Sequence, residues 1–428
     1  MGSGSEFEYK FRYKRREGGA AAGEPLVGED DLSEDQLEAY REINHWIRRP
    51  LGNLLTLGGY AGTGKSTLVS LLAFSYPDRQ IGFCAYTGKA AGGLRQKIFT
   101  GATHRHSVST IHRLIYTPVV DPKTGEVKSW KRREPDELPV DLIVVDEASM
   151  LDAEVYQDLR LFDRPILAVG DHGQLPPVMG DFNLVESPDL RLERIHRQAA
   201  HHPIIQLSAY IRERGDLPNG LPQGEQIRYI ARSQLPQLIE NIYGPKDARL
   251  QDVAILCYTN RTRQEMNDLV RRVRFPGSTL QGGPLPGEQI LCLRNMAETV
   301  FNGMRGTLTR LARFPRNEHA YKVLVDFPDD ELEFEGPALV HQFGQPQTFK
   351  SFEELERFGM KGVKEWRDTG LLLDYGYALT VHKAQGSQFE CVILIYERPR
   401  GSRDEDFKRW LYTGTTRCVD MLFVVLPD

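Results

Sequence analysis

The 428-residue sequence lacks the features that would assign it to a membrane-bound or exported class of protein. It has no run of eighteen apolar residues, so no transmembrane helix is expected. It has no recognisable signal peptide, and its first seven residues, Met1 to Phe7, resemble a vector-derived tag. We therefore expect a cytoplasmic protein with no membrane association.

Cysteine is scarce, and the cysteines stand too far apart in the sequence for a zinc-binding pattern. Most of them lie in apolar runs, which predicts buried, reduced thiols. Reduced thiols are typical of a reducing intracellular compartment. The residues concerned are Cys84, Cys257, Cys292, Cys391 and Cys418.

Positive charge is also not in excess, because the sequence contains 54 Lys and Arg residues and 59 Asp and Glu residues, which gives a net charge of −5. This balance does not indicate nucleic-acid binding, but local grooves matter more than the total. Residues 10–16 form one basic and aromatic patch, followed by a small-residue linker at 18–23. We interpret residues 1–29 as a tag and a flexible basic segment, favouring a disordered tail over a binding patch.

The most informative segment present, residues 59–67, reads GYAGTGKST and has the form of a phosphate-binding loop. An apolar strand-like run precedes it and a helix-like run follows it, which a chance glycine-rich turn would not explain. Lys65 is expected to reach the β- and γ-phosphates, and the Ser66 hydroxyl to coordinate Mg²⁺. The sequence therefore predicts nucleoside triphosphate binding by Gly59, Ala61, Gly62, Thr63, Gly64, Lys65, Ser66 and Thr67.

A second apolar strand, residues 141–145, runs into two acids, Asp146 and Glu147. Ligands of open α/β sheets sit at the carboxyl ends of the strands. Asp146 is expected to hold Mg²⁺, and Glu147 to orient and activate the attacking water. The alternative is an ordinary turn after a core strand, which the phosphate-binding loop in the same chain makes the weaker explanation.

Strand-like and helix-like stretches alternate from residue 33 to about 195, which predicts parallel strands with crossover helices. Ser33 can cap a helix over residues 34–48. Residues 116–120 and 126–130 flank a Pro- and Gly-containing turn and predict a hairpin. Short strands over 284–375 predict a small β-barrel inserted into a second lobe, which ends near Asp428.

Polar and cationic residues stand where several of these segments end. Gln174 could sense the γ-phosphate, or could be incidental to a Gly-Pro loop. Arg197 and Arg417 could stabilise charge during phosphoryl transfer if a second lobe closes; each alone would be an ordinary surface or salt-bridge residue. Contacts to a phosphate–sugar backbone, with helix capping as the alternative for hydroxyls, fit Thr87, Lys89, His112, Thr380 and His382.

The order of these motifs resembles superfamily 1 helicases, in the branch that contains the RecD and Dda helicases. The resemblance spans residues 32–417 and includes VDEASM at 145–150, GDHGQLPP at 170–177 and VHKAQG at 381–386. It implies an α/β fold with two RecA-like motor domains, at 30–115 with 134–195 and at 196–283 with 376–428. It also implies a hairpin pin at 116–133 and an SH3-like insertion at 284–375.

The resemblance further implies ATP and Mg²⁺ in the cleft and 5′-to-3′ movement on single-stranded DNA. By the family pattern Gln36 contacts adenine, Gly386 belongs to the ATP site, and Arg197 and Arg417 are arginine fingers. Thr110 and Pro176 join the expected nucleic-acid contacts. The expected partners are single-stranded DNA and duplex with a 5′ single-stranded tail, and a monomer is the default.

Three other functions share much of this pattern. An RNA helicase of the same superfamily would make similar phosphate contacts. A single-strand DNA translocase would displace bound proteins without separating strands. A non-catalytic nucleic-acid scaffold is disfavoured, because each expected catalytic position holds a competent residue.

Overall fold

The computed structural model describes residues 10–13, 28–49, 52–99, 105–120, 127–176, 182–195, 201–219, 224–245, 249–278, 282–294, 300, 302–314, 317–328, 332–360 and 369–428. Within these ranges, two parallel sheets and one larger antiparallel sheet form the frame of the molecule. No helix in the same ranges combines the length and the apolarity needed to cross a membrane.

The first parallel sheet carries the predicted phosphate-binding loop. In spatial order its strands are β4 (Ser107–Thr110), β3 (Ile81–Ala85), β7 (Leu142–Asp146), β8 (Ile166–Gly170), β2 (Leu54–Gly59) and β9 (Leu190–Leu192). Neighbouring strands are all parallel. The associated helices are α1 (Glu34–Arg48), α2 (Lys65–Ser75), α3 (Gly88–Phe99), α4 (Ile111–Ile115) and α5 (Ala153–Arg160). We call this unit the first lobe.

Apolar side chains from both faces of this sheet are buried, as expected for parallel strands covered by helices. On one face, Phe83 and Val144 belong to a core that includes α1, α2 and α3. On the other face, Cys84 and Val145 belong to a core that includes α4 and α5. The unbroken apolar runs seen in the sequence therefore occupy the central strands.

Helix α1 begins where the sequence predicts, with Ser33 as its N-cap. The amide of Ser33 donates a hydrogen bond to Oε1 of Gln36 at 2.9 Å, which completes a capping box. Tyr40, Ile43 and Ile47 recur at helical spacing and are buried against the first lobe.

A two-stranded antiparallel hairpin leaves the first lobe after α4, as predicted. Its strands are β5 (Tyr116–Val120) and β6 (Val127–Arg132). The predicted turn at 121–126 lies outside the described residues.

The second parallel sheet has five strands and forms what we call the second lobe. Their order is β10 (Ile227–Ala231), β19 (Cys418–Leu426), β18 (Phe389–Ile395), β11 (Val253–Cys257) and β17 (Ala378–Thr380). The helices of this half of the chain are α6 (Pro203–Arg214), α7 (Leu235–Tyr243), α8 (Asn260–Arg274), the short α9 (Phe352–Glu356) and α10 (Asp404–Thr415).

Between β11 and β17 the chain builds an antiparallel sheet, where the sequence predicts short strands. The order is β1 (Lys10–Tyr13), β15 (Leu332–Leu339), β14 (Asn317–Phe327), β13 (Arg305–Phe314), β12 (Gln289–Cys292) and β16 (Leu373–Tyr375). It shares one apolar core with the second lobe, which includes Ile255, Ile290 and Ile393. The insertion is therefore packed onto the second lobe.

The strand β1 differs from the sequence prediction of a disordered tail over residues 1–29. Lys10–Tyr13 pair antiparallel with β15, with Lys10 opposite Glu335 and Arg12 opposite Glu333. The prediction considered only the local composition of this segment, and it overlooked that the edge strand β15, distant in the sequence, could pair with it. Residues 1–9 and 14–27 lie outside the described residues.

The predicted α/β class with parallel sheets is confirmed. The cysteines behave as predicted: Cys84, Cys257, Cys292 and Cys418 are buried free thiols, and Cys391 is half-buried.

Candidate functional site

The phosphate-binding loop joins the end of β2 to the start of α2. Gly62 and Gly64 have φ angles of +81° and +80°, in the left-handed region that favours glycine. A Cβ atom on Gly64 would stand 2.1 Å from Nε2 of Gln36. The loop therefore needs glycine at position 64 for both its backbone conformation and its contact with α1.

Gln36 is buried under the loop rather than free at its surface. Its Nε2 donates to the carbonyl oxygen of Thr63 at 2.9 Å, while its Oε1 accepts from the amide of Ser33. These bonds tie the start of α1 to the loop backbone. The predicted adenine contact stays a prediction.

Lys65 lies at the first position of α2, with its amine folded over the loop. Its Nζ donates to the carbonyl oxygens of Gly59 at 2.7 Å and Tyr60 at 3.0 Å. Ser66 and Thr67 follow in the first turn of α2, where the helix N-terminus faces the loop. The loop thus collects a cation, a helix dipole and hydroxyl groups at one point, which suits a bound polyphosphate.

Asp146 and Glu147 stand at the carboxyl end of β7, beside β3 and β8 in the same sheet. The amide of Glu147 donates to Oδ1 of Asp146 at 2.9 Å. Glu147 has φ of +53°, an uncommon left-handed conformation for a residue other than glycine. Strained backbone of this kind clusters at functional sites, and here it occurs at the predicted catalytic acid.

Burial raises the pKa of both carboxyl groups. The positive charge of the Arg417 guanidinium opposes this rise in the pKa of Glu147 most strongly, and the charge of Lys65 opposes it to a smaller extent. Arg417 comes from the second lobe, so a cation of the second lobe influences the pKa of an acid of the first.

The Asp146 carboxylate and the Ser66 hydroxyl are hard oxygen donors that could bind magnesium. Among the described residues no group of three or more His, Cys, Asp or Glu side chains could hold a metal ion. One carboxylate and one hydroxyl nevertheless fit Mg²⁺, which proteins usually bind through one or two carboxylates together with substrate phosphates and water. The residues therefore suit a metal that arrives with its nucleotide.

Arg417 is 3% exposed and follows α10 directly. Its guanidinium donates to the carbonyl oxygens of Thr413 at 3.2 Å and Ser387 at 3.3 Å. These bonds fix its direction within the second lobe. The other predicted finger, Arg197, lies outside the described residues.

The segment from Asp171 to Leu175 is held by both lobes. Within the first lobe, Nε2 of Gln174 donates to Oδ2 of Asp171 at 3.3 Å. From the second lobe, Oγ1 of Thr413 accepts from the Leu175 amide at 3.0 Å, and Nε2 of Gln385 donates to the Leu175 carbonyl at 2.7 Å. A shift between the lobes would therefore move the loop that carries Gln174.

A cavity of about 420 Å³ lies between the lobes on the side of the predicted nucleic-acid residues. Its lining includes three of them: Thr87, Lys89 and His382. The lining also contains Lys383 and Arg305, which come from the second lobe and from the antiparallel sheet. The cavity is thus shared by both lobes and the insertion.

The remaining predicted nucleic-acid residues lie outside this lining. Thr110 and Thr380 are buried, and each hydroxyl accepts a backbone amide as an N-cap, from Arg113 and Lys383 respectively. The Thr87 hydroxyl likewise accepts from the Ala90 amide. Capping, the alternative explanation, therefore accounts for all three threonine hydroxyls in this structure.

The centre of the His112 ring lies 5.9 Å from the centre of the Tyr86 ring and 5.7 Å from that of the Tyr116 ring. Burial lowers the pKa of His112. Pro176 is half-buried at the end of the segment after Gln174. Their predicted contacts with nucleic acid stay predictions.

Gly386, predicted in the ATP site, has φ of +69° and lies against the first lobe. A Cβ atom there would stand 2.8 Å from Oγ1 of Thr87 and 3.3 Å from Sδ of Met150. This position borders the cavity, because Thr87 and Met150 both line it. The glycine allows the lobes to approach closely at that point.

Sequence reasoning missed Phe389, whose ring the Lys89 Nζ approaches at 4.3 Å and the Arg305 guanidinium carbon at 5.4 Å. It also assigned no role to Tyr412, although that residue lies five positions before the predicted finger Arg417. The position of Phe389 three residues after Gly386 was the available indication. The approach of Arg305 was not available from sequence, because it depends on how the antiparallel sheet docks.

Comparison with known proteins agrees with this geometry. The family model described as an AAA domain matches residues 49–180, which contain the loop and both acids. The model described as a UvrD-like helicase C-terminal domain matches residues 375–425, which contain Arg417. The two matches divide between the two lobes.

Individual relatives extend the match to most of the chain. The ATP-dependent RecD2 DNA helicase of Deinococcus radiodurans is 27% identical over 427 residues, which cover 93% of this chain and 50% of the relative. This chain thus spans about half the length of that relative. A Pif1 helicase from a study of unwinding at forked duplex DNA has a TM-score of 0.50 and 17% identity, with 93% of this chain and 94% of that chain covered, and shares the fold.

The RecBCD enzyme subunit RecD of Mycolicibacterium smegmatis is 30% identical over 426 residues. The match covers 87% of this chain and 68% of that subunit. By this similarity, together with the two family models and the motif order, the chain belongs to the superfamily 1 helicases, in the branch of the RecD proteins.

Proposed function

We propose that this chain is an ATP-dependent DNA helicase that moves 5′ to 3′ on single-stranded DNA and unwinds duplex DNA. The observation that carries the proposal is that the second lobe reaches the predicted nucleotide site, where Tyr412 accepts a hydrogen bond from the Ala61 amide of the phosphate-binding loop and the charge of Arg417 acts on Glu147. A site completed by both lobes lets hydrolysis depend on their relative position. The relatives named as DNA helicases support DNA as the substrate, and the direction rests on the family alone.

In the proposed reaction, Lys65 leaves the carbonyl oxygens of Gly59 and Tyr60 for the phosphates, while loop amides cradle them. Glu147 orients the attacking water, and Arg417 stabilises the charge that develops on the transferred phosphoryl group. Ser66 and Asp146 would hold Mg²⁺, which neutralises phosphate charge when bound. Arg197 acts as a second arginine in this proposal.

Movement follows if ATP favours one arrangement of the lobes and its products another. The cavity between the lobes supplies the strand-binding route, with Lys89, His382 and Lys383 among its lining. Gln174 connects the ATP site with the cavity proposed for the strand, because its loop is bonded to Thr413 and Gln385 of the second lobe. Each closure would therefore change the grip on the strand.

The hairpin of β5 and β6 is proposed as the pin that separates the strands, and the antiparallel sheet as an SH3-like domain. The proposed boundaries remain 116–133 for the pin, 284–375 for the insertion, and 30–115 with 134–195 and 196–283 with 376–428 for the motor domains. The hairpin follows α4 of the first lobe directly, and this position in the chain supports its role.

The decisive experiment is an unwinding assay with 5′-tailed and 3′-tailed DNA duplexes, ATP and Mg²⁺. The 5′-tailed duplex is expected to open, and preferential opening of the 3′-tailed duplex would contradict the direction. Lys65→Ala should lose hydrolysis and unwinding while it still binds single-stranded DNA. RNA oligomers added to the hydrolysis assay should stimulate less than DNA; equal stimulation would favour an RNA helicase.

Removal of residues 118–130 tests the pin in the same assay. The shortened protein should keep DNA-stimulated hydrolysis and lose unwinding. Retained unwinding would remove the hairpin from the mechanism.

A further inference from the structure

We infer that the hydroxyl group of Tyr412 couples the phosphate-binding loop to Gln174, because it occupies a loop amide that nucleotide phosphates would compete for. The inference rests on the proposed function and names a regulatory contact of the same site. In this role Tyr412 is a positioning residue, since it acts through the loop and through Asp171.

The Tyr412 hydroxyl bridges two segments of the first lobe from its place on α10. Its Oη accepts a hydrogen bond from the Ala61 amide at 2.9 Å and donates one to Oδ2 of Asp171 at 2.8 Å. The side chain is 1% exposed. Burial raises the pKa of the phenol well above its usual value, so the hydroxyl keeps the proton that it donates.

Two donors of the loop are thereby satisfied inside the protein. The Ala61 amide points at Tyr412, and the Lys65 amine points at the carbonyl oxygens of Gly59 and Tyr60. Loops of this kind bind phosphate through such amides and through the lysine. Bound phosphate oxygens therefore compete with Tyr412 for the Ala61 amide.

The second bond of Tyr412 links this competition to the segment from Asp171 to Leu175, which contains Gln174. Oδ2 of Asp171 accepts from both Tyr412 and Nε2 of Gln174, at 2.8 Å and 3.3 Å. Oδ1 of the same carboxylate accepts from the Gly173 amide at 2.9 Å. When phosphate takes the Ala61 amide, the Tyr412 hydroxyl loses one of its two hydrogen bonds, and its bond to Asp171 can change in length and direction. Gln174 donates to the same Asp171 oxygen, so its position changes as well.

The ring of Tyr412 is held in place independently of its hydroxyl. It meets the ring of Tyr60 edge-on at 6.3 Å, and the Arg212 guanidinium carbon lies 3.9 Å from the centre of the Tyr60 ring. Gly173 packs against both tyrosines, since a Cβ there would stand 3.0 Å from Tyr60 and 3.2 Å from Tyr412. Phenylalanine at 412 should therefore keep the packing and lose only the two hydrogen bonds.

Tyr412→Phe tests the inference with two measurements on the full chain. The dissociation constant of a non-hydrolysable ATP analogue should fall about three- to tenfold, because the nucleotide-free protein then leaves the Ala61 amide unpaired. Stimulation of hydrolysis by single-stranded DNA should fall at least threefold, because Asp171 has lost its link to the second lobe. A general packing defect would instead weaken nucleotide binding.

Tyr229→Phe is the matched control, because Tyr229 is a buried second-lobe tyrosine whose hydroxyl has no hydrogen-bond partner among the described residues. It should leave both measurements unchanged. Asp171→Asn leaves the bond between Tyr412 and the Ala61 amide in place and alters only the bond to position 171, so it should reproduce the loss of DNA stimulation without the gain in analogue affinity. In the double variant the loss of DNA stimulation should be no larger than in Tyr412→Phe alone, as expected for residues of one network.

Hydrogen–deuterium exchange of the peptide that contains Ala61 provides a readout that does not need DNA. Without nucleotide, exchange should be faster in Tyr412→Phe than in the parent protein. Unchanged exchange, or analogue affinity and DNA stimulation both within twofold of the parent, would overturn the inference. If DNA does not stimulate hydrolysis by the parent protein, the proposed function is overturned. The analogue affinity and the exchange of the Ala61 peptide would still test the role of the Tyr412 hydroxyl.

Discussion

The two parallel sheets share one architecture and differ in what stands at their strand ends. In the first lobe, β2 leads into the glycine-rich loop and β7 ends in Asp146 and Glu147. In the second lobe, β17 leads into a short turn with His382 and Lys383, and α10 leads into Arg417. In the proposed mechanism the first lobe supplies the loop and the two acids, and the second lobe supplies Arg417. This difference lies in the connecting segments and not in the shared sheet architecture.

The lobes also differ in how charge is used inside them. Helix α8 of the second lobe forms two buried ion pairs. Arg271 pairs with Glu288, and both side chains are 0% exposed. Arg263 pairs with Asp374, and these side chains are 3% and 1% exposed. In the described part of the first lobe, an ion pair such as Arg132 with Asp158 is about one-third exposed. Buried pairs from α8 thus fasten the antiparallel insertion, whereas apolar packing holds the first lobe.

The sharpest test of the division of labour is Arg417→Ala. If the second lobe supplies the cation for transition-state charge, kcat for hydrolysis should fall about 10³-fold. Binding of ATP should change by only a few-fold, because the loop and Lys65 are intact. Steady-state hydrolysis and nucleotide titration measure the two effects.

Lys408→Ala, on the helix α10 that precedes Arg417, is the control for Arg417→Ala. Lys408 pairs with Glu405 at the surface, at 3.2 Å, and should leave kcat unchanged. A kcat within threefold of the parent in Arg417→Ala would make the first lobe sufficient for catalysis.

The contrast in buried charge predicts a large effect on stability from Glu288→Gln. Removal of this charge takes away the carboxylate partner of the fully buried Arg271 guanidinium, which should lower the free energy of unfolding by about 3–5 kcal/mol. Urea unfolding measures it.

Glu335→Gln is the comparison for Glu288→Gln, because Glu335 pairs with the half-exposed Lys322 at 2.8 Å. The loss there should be about 0–1 kcal/mol. Equal losses from the two variants would show that burial does not distinguish these pairs.

The smallest expected effect concerns Lys383 in the cavity between the lobes. Burial lowers its pKa to about 8. As pH rises through 8 the amine loses its charge, so affinity for single-stranded DNA should fall, and the slope of log affinity against log salt should shrink by about 1. Fluorescence titrations between pH 7 and pH 9 measure both.

Lys383→Arg keeps its charge over that pH range and should remove this component of the pH dependence. The same pH dependence in Lys383→Arg would place the titrating group elsewhere.

Sequence alone predicted much of the first lobe, because its chemistry is local. Residues 59–67 and Asp146 with Glu147 are contiguous motifs whose strand context can be read from neighbouring apolar residues. Local reasoning also offered N-capping as the alternative for Thr87, and the structure shows that cap.

The contacts that join the lobes could not be predicted in the same way. Ala61 and Tyr412 are 351 positions apart, and Asp171 and Tyr412 are 241 apart. Their bonds depend on how two separately built units dock, and one sequence contains no periodicity that reports docking. The pairing of Lys10–Tyr13 with β15 was overlooked for the same reason.

The left-handed backbone at Glu147 has a consequence for turnover. A conformation of this kind costs about 1–3 kcal/mol and persists only where surrounding structure enforces it. In the proposed mechanism, in which Glu147 orients the attacking water, this conformation forms once, on folding, and the carboxylate is in place before each substrate binds. A relaxed backbone there would have to be reorganised in every cycle, at the expense of speed.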